Sequence, residues 1–230
     1  MMVWMFNAVS GEFWCWGGHE AVVNYGEFSP DGKFAISASE DCTLRVWAPR
    51  TGKCVQQFRS GKQQVFHHAG IGTFAVSRSK PVIVSGDRLG CVFLTQYSTG
   101  EIYGQLGSHT QSVEAIAIHE EMGLALSGSL DATVKAYDLG KQEVRYTTAE
   151  FADGGGVTNL VLSQRRGGDN SFLMFVGTTS GGVYAMDVRS GEVLREYRGH
   201  CAAVMDLAEI REPPLLVTAG DDKRSLVFEI

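Results

Sequence analysis

The sequence predicts an all-β protein built from repeated four-stranded sheets. Short runs that mix β-branched, aromatic and polar residues alternate with turn residues along the whole chain. Twenty-eight glycines against five prolines suit many hairpin turns. One third-strand position recurs at intervals of 43, 48, 42, 49 and 42 residues, at Trp4, Trp47, Thr95, Tyr137, Met186 and Phe228. A period of about 40 to 45 residues with four strands per unit is typical of the blades of a β-propeller.

The best-formed repeat spans residues 18–59. Its predicted strands cover residues 22–28, 34–38, 44–47 and 53–58. The first hairpin turn reads Ser29-Pro30-Asp31-Gly32, in which proline presets φ and glycine accepts a positive φ. The other connections are equally short, so consecutive strands are expected to pair antiparallel as a meander.

Two dipeptide positions in this repeat carry a family signature. Gly18-His19 stands before the first strand and Trp47 ends the third, with Ala48 in place of the usual aspartate. The repeat therefore resembles the WD40 family. That resemblance implies a hydrogen-bonded network of His19, Ser37, Asp41 and Trp47. Carried over by position, the network residues of the other repeats are His109, Ser127, Asp131, Tyr137, His200, Thr218, Asp222 and Phe228.

The repeats divide the chain into a single WD40 propeller domain over residues 1–230. Full blades are expected at 18–59, 60–107, 108–149 and 150–197, with the last two strands of a blade at 1–17 and a blade lacking its fourth strand at 198–230. Counted by period, the chain holds about five full blades plus part of another. A fragment of a longer propeller, a small strained ring and an open arc are the alternatives for its closure.

Two repeats depart from the pattern. In 60–107, Leu89 and Thr95 take the aspartate and aromatic positions, so we expect apolar packing to hold this blade. In 150–197, Ser180 and Met186 take those positions, and the segment SQRRGGDNS forms a longer predicted loop. A weaker polar network is expected there.

Charge and cysteine usage limit the class of protein. The chain carries 20 basic and 26 acidic residues, a net charge of -6, which disfavours a general nucleic-acid binder and suits a basic partner. Five scattered cysteines form no CxxC pair, so neither a disulfide framework nor a zinc site is indicated. The apolar N-terminal run is interrupted by polar residues and lacks early positive charge, unlike a signal peptide. The expected location is the cytoplasm, with the nucleus as a second compartment.

No catalytic, cofactor-binding or metal site is predicted. Ser37, His19 and Asp41 are the residue types of a hydrolase triad, but the same set recurs in other repeats, as a stabilising network does. The His67-His68 pair and His119 could be proposed as metal ligands, although surface histidines are the preferred interpretation. No nucleotide-binding motif follows a strand. The expected partner is a protein, without a membrane, nucleic acid or small-molecule substrate.

Polar residues beside the first strands and the turn aspartates form the candidate partner-binding set. Because most are acidic, they would attract a basic peptide, although they could equally be solvated turn residues. The set comprises Glu20, Asn24, Glu40, Glu114, Asp206 and Asp221.

Within the WD40 proteins, the chain resembles the C-terminal part of the angio-associated migratory cell protein family. The strings that carry the resemblance are SPDGKFAISASEDCTLRVW, SGDRLGCVFLTQYSTGEIYG and REYRGHCAAVMDLAEIREPPLLVTAGDDKRSLVF. That family includes a yeast chaperone of a large-subunit ribosomal protein, so the resemblance implies a non-catalytic escort of a basic ribosomal segment, and signalling or migration roles in animal relatives. A scaffold subunit of a translation-initiation, ubiquitin-ligase or signalling complex is the alternative.

Overall fold

The fold is all-β, as predicted, in a computed structural model that describes residues 1–6, 8–62, 64–166 and 172–230, with backbone alone at 164–166. These residues form twenty-one strands. None of the described residues lies in a helix long and apolar enough to cross a membrane. The chain divides into two compact units, Met1–Ser108 and His109–Ile230.

The first unit contains three antiparallel sheets, one of two strands and two of four. The two-stranded sheet is β1 (Met2–Phe6) and β2 (Phe13–Gly17). The next is the meander β3 (Val23–Phe28), β4 (Ala35–Ser39), β5 (Leu44–Ala48) and β6 (Lys53–Phe58). The third is β7 (Ile71–Val76), β8 (Val82–Asp87), β9 (Cys91–Gln96) and β10 (Glu101–Ser108).

The second unit also contains three antiparallel sheets, two of four strands and one of three. The first is β11 (Val113–His119), β12 (Leu124–Ser129), β13 (Val134–Asp138) and β14 (Glu143–Thr147). The second is β15 (Val157–Arg166), β16 (Phe172–Thr178), β17 (Val183–Asp187) and β18 (Val193–Tyr197). The third is β19 (Val204–Ile210), β20 (Leu215–Gly220) and β21 (Ser225–Glu229).

Burial follows strand order within a sheet. The second strands β4, β8 and β12 are buried at every residue, whereas at least half of the residues of the outer strands β6 and β14 are exposed. Both faces of the inner strands are covered because consecutive sheets of a unit stack on each other. Ile36 of β4 and Ile83 of β8, for example, belong to one apolar cluster of the first unit. This stacking of meanders is the packing expected of propeller blades.

The first residues of the predicted loop SQRRGGDNS belong to a strand. Strand β15 continues to Arg166, so its last four residues extend the hairpin instead of forming a loop. The remainder of the predicted loop, residues 167–171, lies outside the described residues.

Candidate functional site

The sheet β3–β6 is fixed at one end by a set of hydrogen bonds among side chains. His19 lies four residues before β3, and its Nε2 is 2.7 Å from Ser37 Oγ in β4. Its Nδ1 is 2.8 Å from Oδ2 of Asp41, in the turn between β4 and β5. Trp47 of β5 donates its indole N–H to Ser37 Oγ at 2.8 Å. We call the histidine, hydroxyl residue and aspartate of such a set a polar lock.

The hydrogen bonds of this lock are donated in one direction, from Trp47 through Ser37 and His19 to Asp41. Because the indole donates to Ser37, the hydroxyl proton is free to bond His19 Nε2, which leaves the Nδ1 proton for Asp41. Burial lowers the pKa of His19 against the opposing effect of Asp41, which favours this neutral tautomer. Burial alone would raise the pKa of Asp41, but hydrogen bonds from Thr43, the Glu20 amide and His19 outweigh it and bring the pKa to about 2.

The lock aspartate also stabilises a left-handed turn. Cys42 has a φ of 63°, a conformation that costs a non-glycine residue about 1 kcal/mol. Asp41 Oδ1 accepts hydrogen bonds from the amide and hydroxyl of Thr43, at 3.0 and 2.6 Å, while Oδ2 accepts from the Glu20 amide at 2.9 Å. These bonds tie both arms of the turn to one carboxylate.

The same lock recurs twice in the second unit. His109 lies 2.7 Å from Ser127 Oγ and 2.9 Å from Asp131, and the Tyr137 hydroxyl, 3.1 Å from Ser127 Oγ, replaces the indole. In the last sheet, His200 lies 2.7 Å from the Thr218 hydroxyl and 3.0 Å from Asp222. Phe228 stands at the tryptophan position there, makes no hydrogen bond with its ring and packs against Tyr197 with ring centroids 5.2 Å apart.

The sheet β7–β10 contains a lock that the sequence pattern missed. His67 Nδ1 is 2.7 Å from Asp87, and its Nε2 is 2.8 Å from Ser85 Oγ. The prediction that apolar packing alone holds this sheet is wrong, because Asp87 stands at the end of β8, two residues before the expected position at Leu89. The available signal was the 18-residue spacing from His67 to Ser85, which equals that from His19 to Ser37.

The sheet β15–β18 uses a different arrangement. Asp153, four residues before β15, takes the place of the histidine and accepts a hydrogen bond of 2.6 Å from the Thr178 hydroxyl. Its other oxygen accepts from the Gly155 amide at 3.0 Å. Thr178 also accepts a bond from the Gly182 amide at 3.0 Å, so a short Thr–Asp contact closes this turn without an imidazole.

The locks have the hydroxyl–histidine–aspartate hydrogen bonds of a hydrolase triad, but their hydroxyl groups are not accessible to a substrate. A nucleophilic serine must meet the substrate, whereas Ser37 is 0% exposed and its oxygen already accepts the Trp47 indole. Ser85 and Ser127 are equally buried. The geometry suits a structural role for these hydroxyls.

Two of the candidate metal-binding histidines are buried, so the interpretation of them as surface residues is wrong. His67 belongs to a lock, and the ring of His119 packs edge-on against Phe172 with centroids 4.4 Å apart. His68 is exposed. Within the described part of the chain, no three histidine, cysteine or acidic side chains are grouped to hold a metal ion. All five cysteines are free thiols.

Three of the six candidate partner-binding residues are engaged within the fold. Asn24 Nδ2 donates to Glu40 at 2.8 Å and to the Ile71 carbonyl of the next sheet at 2.9 Å. Glu40 also pairs with Arg88, whose Nε lies 2.7 Å away. Asp206 accepts a bond of 2.9 Å from Asn159. These contacts join neighbouring sheets, and they engage all three side chains within the fold.

The other three candidates are exposed carboxylates. Within the described residues, the side chains of Glu20, Glu114 and Asp221 make no hydrogen bond or ion pair. Glu20 lies in the first unit and the other two in the second. They are the acidic groups of the set that remain available.

Comparison with known proteins agrees with this geometry. The family described as "WD domain, G-beta repeat" matches residues 12–48 and 100–138. These two segments are WD40 repeats. Each WD40 match begins one residue before the outer strand of one sheet, β2 or β10, and ends on the third strand of the next sheet. The repeat in sequence is therefore offset by one strand from the sheet in space.

Two curated relatives are similar to nearly the whole chain. The human (Homo sapiens) angio-associated migratory cell protein is 26% identical over 240 residues, which cover 98% of this chain and 53% of that protein. An uncharacterized WD repeat-containing protein of Schizosaccharomyces pombe is 28% identical over 221 residues, 92% of this chain and 53% of that protein. The predicted resemblance is confirmed, and the chain spans about half the length of these relatives.

The solved structure of U3-55K shares the fold. It aligns with a TM-score of 0.77 at 18% identity, over 93% of this chain and 62% of that one. Together with the stacked meanders, this alignment confirms the predicted WD40 propeller class.

Proposed function

We propose that this WD40 protein is a non-catalytic interaction scaffold that escorts a basic segment of a ribosomal protein. Its buried histidines and hydroxyls bond one another, which leaves the surface for a partner. The observation that carries the proposal is the set of uncommitted carboxylates Glu20, Glu114 and Asp221, each exposed beside a lock. An exposed carboxylate without an internal partner favours a cationic group on the binding protein.

The ribosomal assignment comes from the resemblance to the angio-associated migratory cell protein family. A ribosomal protein segment that binds RNA is rich in lysine and arginine, so an acidic scaffold could shield it. The net charge of -6 acts in the same direction. This role belongs in the cytoplasm or the nucleus, which fluorescence microscopy of a tagged chain would test.

The decisive experiment is a titration of the folded 230-residue chain with a fluorescent peptide. The peptide is the basic N-terminal segment of the ribosomal protein that the resemblance implies, and its control has every lysine and arginine replaced by glutamate. We expect saturable binding of the basic peptide only, weakening as salt is raised from 50 to 500 mM because exposed charges are screened. Binding of both peptides, or no salt dependence, would contradict the proposal.

Single variants then assign the acidic groups. Glu20→Gln, Glu114→Gln and Asp221→Asn should each raise Kd about two- to fivefold, since an exposed ion pair contributes about 0.5 to 1 kcal/mol. Glu101→Gln and Glu192→Gln are matched controls, because both glutamates are exposed and lie away from the locks. Equal Kd values for all five variants would exclude these carboxylates.

If the folded chain does not bind the basic peptide, the escort role is excluded and the scaffold role remains. Co-purification at fixed stoichiometry with a larger complex would then identify the alternative, a subunit of a translation-initiation, ubiquitin-ligase or signalling assembly.

A further inference from the structure

A cavity of about 300 Å³ opens in the first unit beside the His19 lock. Asp41, Thr43 and His67 form part of its lining, but their polar groups are already hydrogen-bonded within the two locks. The side chains left for a ligand are those of Glu20, Gln57, Arg45, Arg59 and His68.

Arg45 contributes a buried donor with no acceptor. It lies on β5, paired with Ser37 on one side and Gln57 on the other. Its Nε is buried and has no hydrogen-bond partner within the described residues. A charged guanidinium whose Nε is buried without an acceptor is costly, so a negative group in the adjoining cavity would stabilise Arg45 electrostatically.

The mouth of the cavity adds a second cation. Arg59 and His68 are exposed, and neither side chain makes a hydrogen bond or ion pair within the described part of the chain. Glu20 is the one uncommitted carboxylate of the lining. The lining holds two guanidinium groups and two carboxylates, Glu20 and Asp41, but Asp41 is engaged in the His19 lock and no carboxylate of the described chain pairs with Arg59.

A second cavity, of about 280 Å³, occupies the equivalent place beside the Asp153 contact in the second unit. Arg198 follows β18 there as Arg59 follows β6. Glu196 pairs with Tyr184 in the strand register as Gln57 pairs with Arg45. Glu196 accepts two hydrogen bonds from Arg198, at 2.7 and 3.1 Å, so this cavity neutralises its own arginine. The first cavity has an amide where the second has a carboxylate.

We propose that the cavity of the first unit binds an oxyanion, a carboxylate or a phosphate, presented by a partner peptide. Arg59 would form the charge-assisted bonds that Arg198 makes to Glu196, and the positive charge of Arg45 in the lining would add electrostatic attraction. This site goes beyond the escort function, since its ligand has the opposite charge. Failure of either proposal leaves the other standing.

The test uses the full chain and two capped peptides of equal length, hexaglutamate and a peptide of six phosphoserines, measured by calorimetry. Gln57→Glu places a carboxylate at an exposed position, where it would pair with Arg59 as Glu196 pairs with Arg198. Arg59→Gln removes the positive charge at the mouth of the cavity. Both should raise Kd at least about tenfold, the loss expected for a charge-assisted hydrogen bond. Arg50→Gln, an exposed arginine in the β5–β6 turn, should leave Kd unchanged. Circular dichroism confirms that each variant is folded.

Two further variants extend the test. Glu196→Gln frees Arg198 and should add a second binding event. Glu20→Gln should tighten anion binding while it weakens binding of the basic peptide. The site would be supported if either peptide binds saturably and if Gln57→Glu and Arg59→Gln abolish that binding. The peptide that binds more tightly would show whether the oxyanion is a carboxylate or a phosphate. No saturable binding to the wild-type chain, or binding that these two variants leave unchanged, would overturn it.

Discussion

The sheets β3–β6 and β15–β18 build the same turn with different chemistry. In both, the third residue after the end of the second strand donates its amide to that end residue at 3.2 Å, Cys42 to Ser39 and Gly181 to Thr178. Cys42 adopts a φ of 63° in a turn that Asp41 stabilises. Gly181 has a φ of 90° in a sheet that has no lock among its described residues. Glycine pays no steric cost for a positive φ. A lock therefore permits a side chain at a position that otherwise favours glycine.

The sheet β7–β10 combines both devices. It has Gly90 at this turn position, with a φ of 90°, and it also has the lock of His67, Ser85 and Asp87. The comparison shows that the lock and the glycine are independent solutions to one requirement, which is to reverse the chain tightly between the second and third strands.

The largest expected effect concerns the tryptophan position. Trp47 is 1% exposed and stacks on Trp16 with centroids 5.9 Å apart. Trp47→Ala should lower the free energy of unfolding by about 3 to 5 kcal/mol, because it opens a cavity and removes a donor from Ser37. Trp4, at the same strand position in β1, is 63% exposed, so Trp4→Ala should cost less than about 0.5 kcal/mol. Urea unfolding measures both, and similar losses would show that the strand position alone sets the cost.

The second effect concerns the lock of His67, Ser85 and Asp87, which the sequence pattern did not predict. Asp87→Ala leaves the proton of His67 and the amides of Leu89 and Cys91 without an acceptor. We expect a loss of about 2 to 4 kcal/mol, as for Asp41→Ala. Leu89→Ala is the control, because Leu89 occupies the signature position but is 65% exposed. A larger loss for Leu89→Ala than for Asp87→Ala would restore the interpretation of this sheet as purely apolar.

The third effect separates glycine from the lock. A Cβ at Gly181 would lie 2.7 Å from the His200 carbonyl oxygen in a left-handed conformation, so Gly181→Ala should cost about 1 to 3 kcal/mol. Cys42→Gly should change stability by less than about 0.5 kcal/mol, since relief of the positive φ offsets the added freedom of the unfolded chain. The melting temperature of each variant reports the difference. Equal destabilisation by the two substitutions would refute the independence of the two devices.

The smallest effect is a loss of stability between pH 7 and 5.5 that comes from the histidines of the locks. Burial lowers the pKa of His19, His67 and His109 below 6.5, so below that pH protons bind the unfolded chain more readily than the folded one. Stability is complete above about pH 6.5 and falls on acidification, with a further loss between about pH 4 and 2 as Asp41 protonates.

Hydrogen exchange followed by mass spectrometry, corrected for intrinsic rates, locates this loss. Between pH 7 and 5.5, protection should fall in β3–β6, β7–β10 and β11–β14 but not in β15–β18, whose contact of Asp153 and Thr178 contains no imidazole. A uniform loss over all sheets would mean that the histidines do not set the acid sensitivity.

Much of this fold follows from local chemistry. The 18-residue interval from histidine to hydroxyl and the Ser-Pro-Asp-Gly turn are short-range signals, and the predicted strand 53–58 coincides with β6. The prediction for β15 was less accurate, because a hairpin that lengthens beyond the repeat has no periodic partner to mark its end.

The candidate site depended more on tertiary contacts. Asn24 and Glu40 have the composition of a partner-binding pair, yet Ile71 and Arg88 of the next sheet engage them. Residues 47 and 48 positions apart share no local pattern, so only the stacking of sheets could show that these side chains are committed. The same stacking brings Arg45 and Arg59 to one cavity with His68.

The sequence by itself determined the all-β meander, the period of the sheets and three of the four histidine locks. Strand alternation, turn residues and fixed spacing act within one repeat, so they are readable along the chain. Tertiary structure alone decided that Asp87 completes the fourth lock and that Asn24 bridges two sheets. It also decided that Arg198 pairs with Glu196, whereas Arg59 has no such partner among the described residues. These outcomes depend on which side chains meet when sheets pack, and hydrogen bonds or charge pairing are set by distance in space instead of separation in sequence.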